Sequence, residues 1–324
     1  MGRVFTRLGL AAALVGLAVS AATAGEVTLK AVSAFNEGTA FSRNFERFVK
    51  KVNDEGKGLV QINYVGGGGK VMNPFELGNA LRSGVVDMAN DTGAFYTNLA
   101  PEADALKLCE VSSQTLRKNG GWELVNELHN KKLNGYYLAR QGIGVPFHLY
   151  LTKPISKPDL TGFKIRITPV YQAFFEKLGA TVVRTAPGEV YTALERGTVD
   201  GYGWPIQGVL DLGWQEVTKY RVDPGFYNVD VGVLVNLDTW NGKLDDAQRA
   251  FLVKMGLWLE SLDEEAPAIN EAESQKQQAA GIQTITFTGD DRSAYLKAAY
   301  EAGWAKIMAV SPEYGPKLKQ VFTK

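Results

Sequence analysis

Residues 27–33 alternate apolar and polar side chains and are rich in β-formers, which predicts a strand. From there to residue 52 the period changes: Phe41, Phe45, Phe48, Val49 and Val52 recur at helical spacing. Leu59 to Val65 reads as a second strand, broken by four glycines at 66–69. Asn73-Pro74 opens a helix reaching about Ser83, and Val85 to Ala89 reads as a third strand. Strands that alternate with helices predict a parallel sheet with helices on its faces.

The second half repeats this order. Phe163–Ile167 and Thr181–Arg184 read as strands, Tyr171–Leu178 and Pro187–Arg196 as helices, and another strand starts near Thr198. One unit matches closely. Glu76, Ala80, Leu81, Gly84 and Asp87 recur at the same internal spacing as Glu189, Ala193, Leu194, Gly197 and Asp200. Each copy predicts a helix closed by a glycine in the left-handed cap conformation, then a short strand. Two α/β lobes built alike follow. Leu244 to about Ala280 is a long helical stretch with Asp245 as N-cap and Phe251, Leu252, Met255, Leu259 and Leu262 on one face. Pro267 predicts a kink in it. Unbroken, it would span roughly 50 Å, enough to brace both lobes. A strand at Ile282–Phe287 and a last helix from about Arg292 to Met308 complete the chain.

The first residues read differently. Arg3 and Arg7 precede an apolar run from Leu8 to Val19, and Ala22-Thr23-Ala24 supplies the small-x-small pattern of a cleavage site. The run falls short of the roughly 20 residues a membrane span needs. Residues 1–24 are therefore expected to be a signal peptide cleaved near Ala24, which predicts export to the periplasm.

Charge narrows the function. Lys plus Arg number 35 and so do Asp plus Glu, a balance that argues against a nucleic-acid partner. The single cysteine, Cys109, cannot form an internal disulfide and is expected to be a small buried residue. Lys70 follows the glycine run, but Val71 stands where a phosphate loop needs Ser or Thr. No G-x-S-x-G elbow exists. The two histidines, His129 and His148, lie far apart without zinc-ligand spacing, and His129 is expected to face solvent near a helix end. Nothing assembles an acid, a base and a nucleophile, so no enzyme, metal or cofactor is expected. An exported organic-acid enzyme on the same scaffold is the competing class, and turnover of a bound acid would distinguish it.

Arg166 stands at the end of a predicted strand, with a helix starting just after it. In an α/β lobe that position faces the crevice where ligands bind. Its planar guanidinium matches a carboxylate bidentately. The segment LTGFKIR at 160–166 resembles the L-K-G-x-K-I-R signature of solute-binding proteins of tripartite ATP-independent periplasmic (TRAP) transporters, the DctP family. So do FFEKLGAT at 174–181, EVYTAL at 189–194 with Gly197 and Val199-Asp200-Gly201, and Val233–Asn236 followed by Trp240. The resemblance covers the mature chain and is strongest over 160–205. It implies a two-lobed, periplasmic-binding-protein-like α/β fold, with residues 25–144 and about 231–270 in one lobe and 145–230 and about 271–324 in the other. It also implies a monomer that closes on an organic carboxylate held by Arg166 and delivers it to the integral-membrane subunits of a TRAP permease. A sensory binding component is the third possibility, and genome neighbourhood would decide it.

Departures from the family pattern bear on the ligand. Where many members read Gln-Glu-Asn-Pro, this chain has Tyr202-Gly203-Trp204-Pro205, so Trp204 takes the place of a ligand-touching Asn. Gly203 removes the Glu of a metal-binding pair. Phe147, with His148 beside it, takes the place of a second arginine. Flat apolar surface thus replaces polar clamps, which favours a monocarboxylate with an aromatic or apolar body. The alternative is that Trp204 and Phe147 fill core space and the ligand is a C4 dicarboxylate, hydroxy acid or 2-oxo acid. Further candidates follow predicted strands: Phe35, Asn36, Asn73, Asp91, Thr92, Phe95, Tyr96 and, on the returning segment, Tyr227. Arg140 and Arg184 are next in line for the anion. Hinges are expected near 144–146 and 228–231.

Overall fold

The computed structural model describes residues 25–324. The expected leader and its cleavage site lie outside the described residues. Two sheets form, one per lobe. The first contains β1 (Val27–Ser33), β2 (Val60–Gly67), β3 (Met88–Asp91), β4 (Gly135–Gln141) and, arriving late in the chain, β10 (Val231–Asn236), in the order β2-β1-β3-β10-β4. The second contains β5 (Pro146–Leu151), β6 (Lys164–Ile167), β7 (Thr181–Arg184), β8 (Gly201–Pro205), β9 (Tyr220–Asn228) and β11 (Gln283–Thr286), in the order β11-β9-β5-β8-β6-β7.

Neither sheet is purely parallel as the alternation predicted. β1 runs parallel to β2 and β3, but β10 lies antiparallel between β3 and β4. In the second sheet β5 lies antiparallel between β8 and β9, while β6 is parallel to both β7 and β8. The reversal has one cause. The chain crosses between lobes twice, out through 142–145 and back through 229–230, and the strand that each crossing delivers, β5 or β10, runs opposite to its neighbours in the sheet it joins. The crossings lie side by side: the Val229 N–H donates to the Val145 carbonyl at 2.9 Å.

Helices cover the sheets. The first-lobe helices are α1 (Ala40–Glu55), α2 (Leu77–Arg82), α3 (Ser113–Leu116) and α4 (Gly121–Leu133). Then come α5 (Gln172–Lys177), α6 (Val190–Glu195), α7 (Asp246–Ser261), α8 (Ala266–Ala279), α9 (Gly289–Val310) and α10 (Gly315–Phe322). The long stretch is α7 and α8, joined by a tight turn at Leu262–Glu265, with Pro267 in the first turn of α8. Proline is tolerated there because a first-turn N–H has no helical partner. Asp245 caps α7 reciprocally with Gln248, at 2.8 and 2.9 Å. α7 packs on β4 and α1, while Gln277 of α8 reaches Ile206 and Tyr150 of the second lobe. The pair therefore spans both lobes. α10, which periodicity did not separate from α9, packs on α4 and residues 101–108. It also packs on α9.

The internal repeat is geometric as well as textual. α2 and α6 each follow a single tight turn and end at a left-handed glycine, Gly84 (φ 75°) and Gly197 (φ 65°). The Asp87 carboxylate accepts from the Lys30 N–H at 2.9 Å, and the Asp200 carboxylate from the Lys164 N–H at 2.8 Å. Each acid thus fastens the end of its unit to a neighbouring parallel strand. The third strand starts at Met88 rather than Val85, which lies exposed in the link after α2.

Phe45, Phe48 and Val52 of α1 meet Leu252, Met255 and Leu259 of α7 in one core layer. Cys109 is buried as expected. His129 is not on the surface: it is buried on α4, with Nδ1 against the Val125 carbonyl at 2.7 Å and Nε2 against the Tyr96 hydroxyl at 3.1 Å. Its helix packs that face inward, which a single histidine near a helix end does not reveal.

Candidate functional site

Two adjoining cavities lie between the lobes and share Phe35, Phe41 and Trp204. The larger, about 270 Å³, is walled by Asn36, Gly68–Lys70 and Pro74 on one side and by Ala186–Gly188, Gly208 and Leu212 on the other. The inner one, about 40 Å³, is lined by Thr92, Phe95, Phe147, Thr168, Tyr171 and Asp230. Aromatic rings from both lobes line the inner cavity. Phe35 lies 5.5 Å from Phe41 and 5.9 Å from Phe95 between ring centres, and Phe41 meets Trp204 edge-on at 6.1 Å.

Arg166 is the third residue of β6, one short of the strand end, and is 0% exposed. It stands directly behind the cavity wall. Its Nε and Nη2 donate to the Thr185 carbonyl at 3.1 and 2.6 Å, and its Nη1 donates to the Tyr171 hydroxyl at 3.2 Å. The guanidinium carbon is 5.9 Å from the centre of the Trp204 ring. No carboxylate pairs with Arg166 among the described residues. A guanidinium has five N–H groups. Three are engaged, so two remain, the number a carboxylate accepts. Burial pulls the Arg166 pKa down, while the neighbouring Tyr171 raises it.

Tyr171 orients that guanidinium. Its hydroxyl donates to the Gly203 carbonyl at 2.5 Å. A Cβ at position 203 would stand 2.7–2.8 Å from three atoms of the Tyr171 ring. Glycine at 203 therefore lets the ring lie across β8 and reach Arg166. Nothing in the local sequence around Arg166 pointed to Tyr171. The available signal was Gly203, a residue without a side chain where the family pattern carries Glu.

Of the residues proposed from sequence, the fold brings Trp204, Phe147, Thr92, Phe95, Phe35 and Asn36 to the cavity walls, with Arg166 behind them. Five others are used elsewhere. His148 alternates to the opposite face of β5 from Phe147, where its Nδ1 lies 3.0 Å from both the Val222 carbonyl and Asp223. Asn73 caps the turn at Pro74, accepting from the Phe75 N–H at 3.0 Å. Asp91 is buried and accepts from the Thr92 N–H at 2.8 Å; burial, aided by the charge of Asp230, pushes its carboxyl well above the usual range. Tyr96 is taken by His129, and the Tyr227 hydroxyl donates to the Ala299 carbonyl at 2.6 Å. Residues missed from sequence are Phe41, assigned to the buried face of α1 but turned to the cleft at its first turn, Tyr171, Thr168, and Lys70, set aside with the failed phosphate loop.

The two other candidate arginines make contacts of their own. Arg140 is buried, 3.3 Å from the Asp230 carboxylate, and donates to the Leu106 carbonyl at 2.8 Å. Arg184 lies over the Phe75 ring at 4.5 Å, a contact across the cleft.

Residues 32–310 match the model of the bacterial extracellular solute-binding protein family 7, DctP. The chain belongs to this family. A solute-binding protein of Roseobacter denitrificans is 27% identical over 99% of this chain and 100% of its own length. A TRAP periplasmic solute-binding protein of Desulfovibrio salexigens, crystallised with bound orotic acid, superposes with a TM-score of 0.81 at 18% identity, covering 91% of this chain and 97% of that one. The Bordetella pertussis receptor DctP6, which binds pyroglutamic acid, gives 0.80 at 17% identity, covering 91% and 99%. At these identities the two structures establish the two-lobed fold. As a DctP-family protein, the chain shares a scaffold whose named relatives are solute-binding proteins of transporters. Among the described residues, no helix is long and apolar enough to cross a membrane.

Proposed function

We propose that this DctP-family protein captures a small organic acid carrying one carboxylate on a compact, flat or apolar body, and hands it to the membrane subunits of a TRAP permease. One observation carries the reading: Arg166 is a fully buried cation whose only hydrogen-bond partners among the described residues are a backbone carbonyl and a neutral hydroxyl. A buried charge without a counter-charge is costly, and an anionic ligand supplies one. The aromatic walls favour the rest of the molecule. Phe35, Phe41, Phe95, Phe147 and Trp204 offer apolar surface, and burial against it gains about 25 cal/mol per Å². The orotate and pyroglutamate bound by the structural relatives are ring acids of this size.

A second reading has one observation behind it. Lys70 lines the mouth of the larger cavity and could meet a second carboxylate, as a C4 dicarboxylate would require. A melting-temperature screen separates the two. Ring monocarboxylates such as pyroglutamate, orotate and benzoate raise the midpoint and malate does not; the opposite order favours the dicarboxylate. Mass spectrometry of acid co-purifying from the host names the class directly.

A further inference from the structure

Trp204 carries a hydrogen-bond donor with nothing to bond. Its indole Nε1 is shielded from solvent and has no acceptor among the described residues. An indole N–H can only donate, and buried donors in folded proteins nearly always find a partner. The position of the nitrogen suggests where that partner comes from. A Cβ built on Gly208 would stand 3.4 Å from Nε1, 3.3 Å from the Ala40 Cβ and 3.8 Å from Cε2 of Phe41. Gly208, Ala40, Phe41 and Trp204 all line the larger cavity, where the lobes meet. With φ at +90°, Gly208 occupies a conformation that L side chains rarely adopt, and it places no side chain of its own against Nε1.

The same ring also neighbours the cation. The Arg166 guanidinium carbon lies 5.9 Å from the indole centre, so one small molecule can touch both groups. Beside Arg166, the Thr185 hydroxyl is likewise buried without a partner. Two unused polar groups, the Trp204 Nε1 and the Thr185 hydroxyl, thus flank Arg166.

We propose that the Trp204 indole N–H is the second recognition point of the site, selecting acids that carry a hydrogen-bond acceptor, such as a ring carbonyl, a short distance from the carboxylate. This rests on the reading of Arg166 as the anion partner. Trp204 then does more than present a flat surface: its N–H distinguishes an oxo-ring acid from the plain ring acid of equal size. A site built to donate a hydrogen bond rejects an analogue lacking the acceptor, because its donor is then left unpaired.

Pyroglutamate carries such a ring carbonyl, and cyclopentanecarboxylate is a five-membered ring acid without one. Both are titrated calorimetrically into the wild type and into Trp204→Phe. The wild type is expected to prefer pyroglutamate by about tenfold, and the substitution to weaken pyroglutamate roughly five- to tenfold and cyclopentanecarboxylate by less than about twofold. Equal losses for the two acids overturn the donor role and leave the Arg166 reading standing. Binding of neither acid by the wild type overturns the donor role together with the ring-acid reading. If Trp204→Phe does not fold, the six indole N–H resonances of the wild type decide. One moves downfield with pyroglutamate and stays in place with cyclopentanecarboxylate; the absence of any such selective shift overturns the proposal.

Discussion

Arg166 combines two properties that conflict in a protein without ligand: full burial and, among the described residues, no carboxylate in contact with it. Losing one member of a desolvated, hydrogen-bonded charge pair costs about 2–5 kcal/mol or more. Arg166→Ala should therefore weaken acid binding at least about thirtyfold by calorimetry, since each 1.4 kcal/mol is tenfold. A loss under about threefold would move the anion elsewhere. Arg166→Met tests the conflict itself. Removing an unpaired buried charge should raise the melting temperature of the ligand-free protein and abolish the further rise that acid produces. The Tyr171–Gly203 pair makes a separate prediction. Gly203→Ala drives a methyl into the Tyr171 ring and should cost about 1–3 kcal/mol in denaturant melts. Tyr171→Phe removes the hydroxyl that steers Arg166 and should weaken binding with a smaller loss of stability.

At the scale of elements, the turn between α7 and α8 holds the crossing segment. The Asp263 carboxylate accepts from the Gly142 N–H at 2.8 Å and the Ile143 N–H at 3.3 Å. Burial raises its pKa from 3.8 to about 6, and those bonds oppose the rise. A carboxyl that keeps its proton longer when folded favours the folded state below its unfolded pKa. That contribution is lost as pH climbs from about 4 through 6. His129 on α4 has the opposite sign. Burial lowers its pKa from 6.5 to about 4, so the unfolded chain takes up the proton first, and stability falls as pH drops through that window. Denaturant melts from pH 4 to 7 should therefore show a steeper gain with pH in Asp263→Asn and a flatter one in His129→Phe than in the wild type.

Across the whole molecule the lobes already touch over the cleft. Arg43 of α1 bonds Asp211 at 2.9 Å, and Arg184 covers Phe75. The two crossing segments lie beside each other, the arrangement in which a few residues can absorb a hinge rotation. Small-angle scattering should show a contracted radius of gyration with saturating acid; tight binding without contraction would argue against closure. Asp211→Asn removes an exposed ion pair, worth about 0–1 kcal/mol, and should weaken binding no more than about fivefold.

Several of these features were legible in the chain alone because their causes are local. The periods of apolar residues placed most helices and strands to within a few residues. The repeated Glu–Ala–Leu–Gly–Asp unit announced two lobes, because its glycine cap and closing acid act within one helix and one strand. Arg166 was visible for the same reason, as a cation between a strand and a helix. Strand alternation also separates Phe147 from His148, but it does not say which face meets the cleft; the packing of the second sheet decided that. The same holds for Tyr96, Tyr227 and Asp91, whose polar groups found partners or burial in the core. Tyr171 emerged only when β8 was seen passing beneath its ring, and the free N–H of Trp204 only when Gly208, Ala40 and Phe41 were brought around it. Hydrogen-bond satisfaction depends on every neighbour in space, so tertiary structure alone decides which polar groups are left for a ligand.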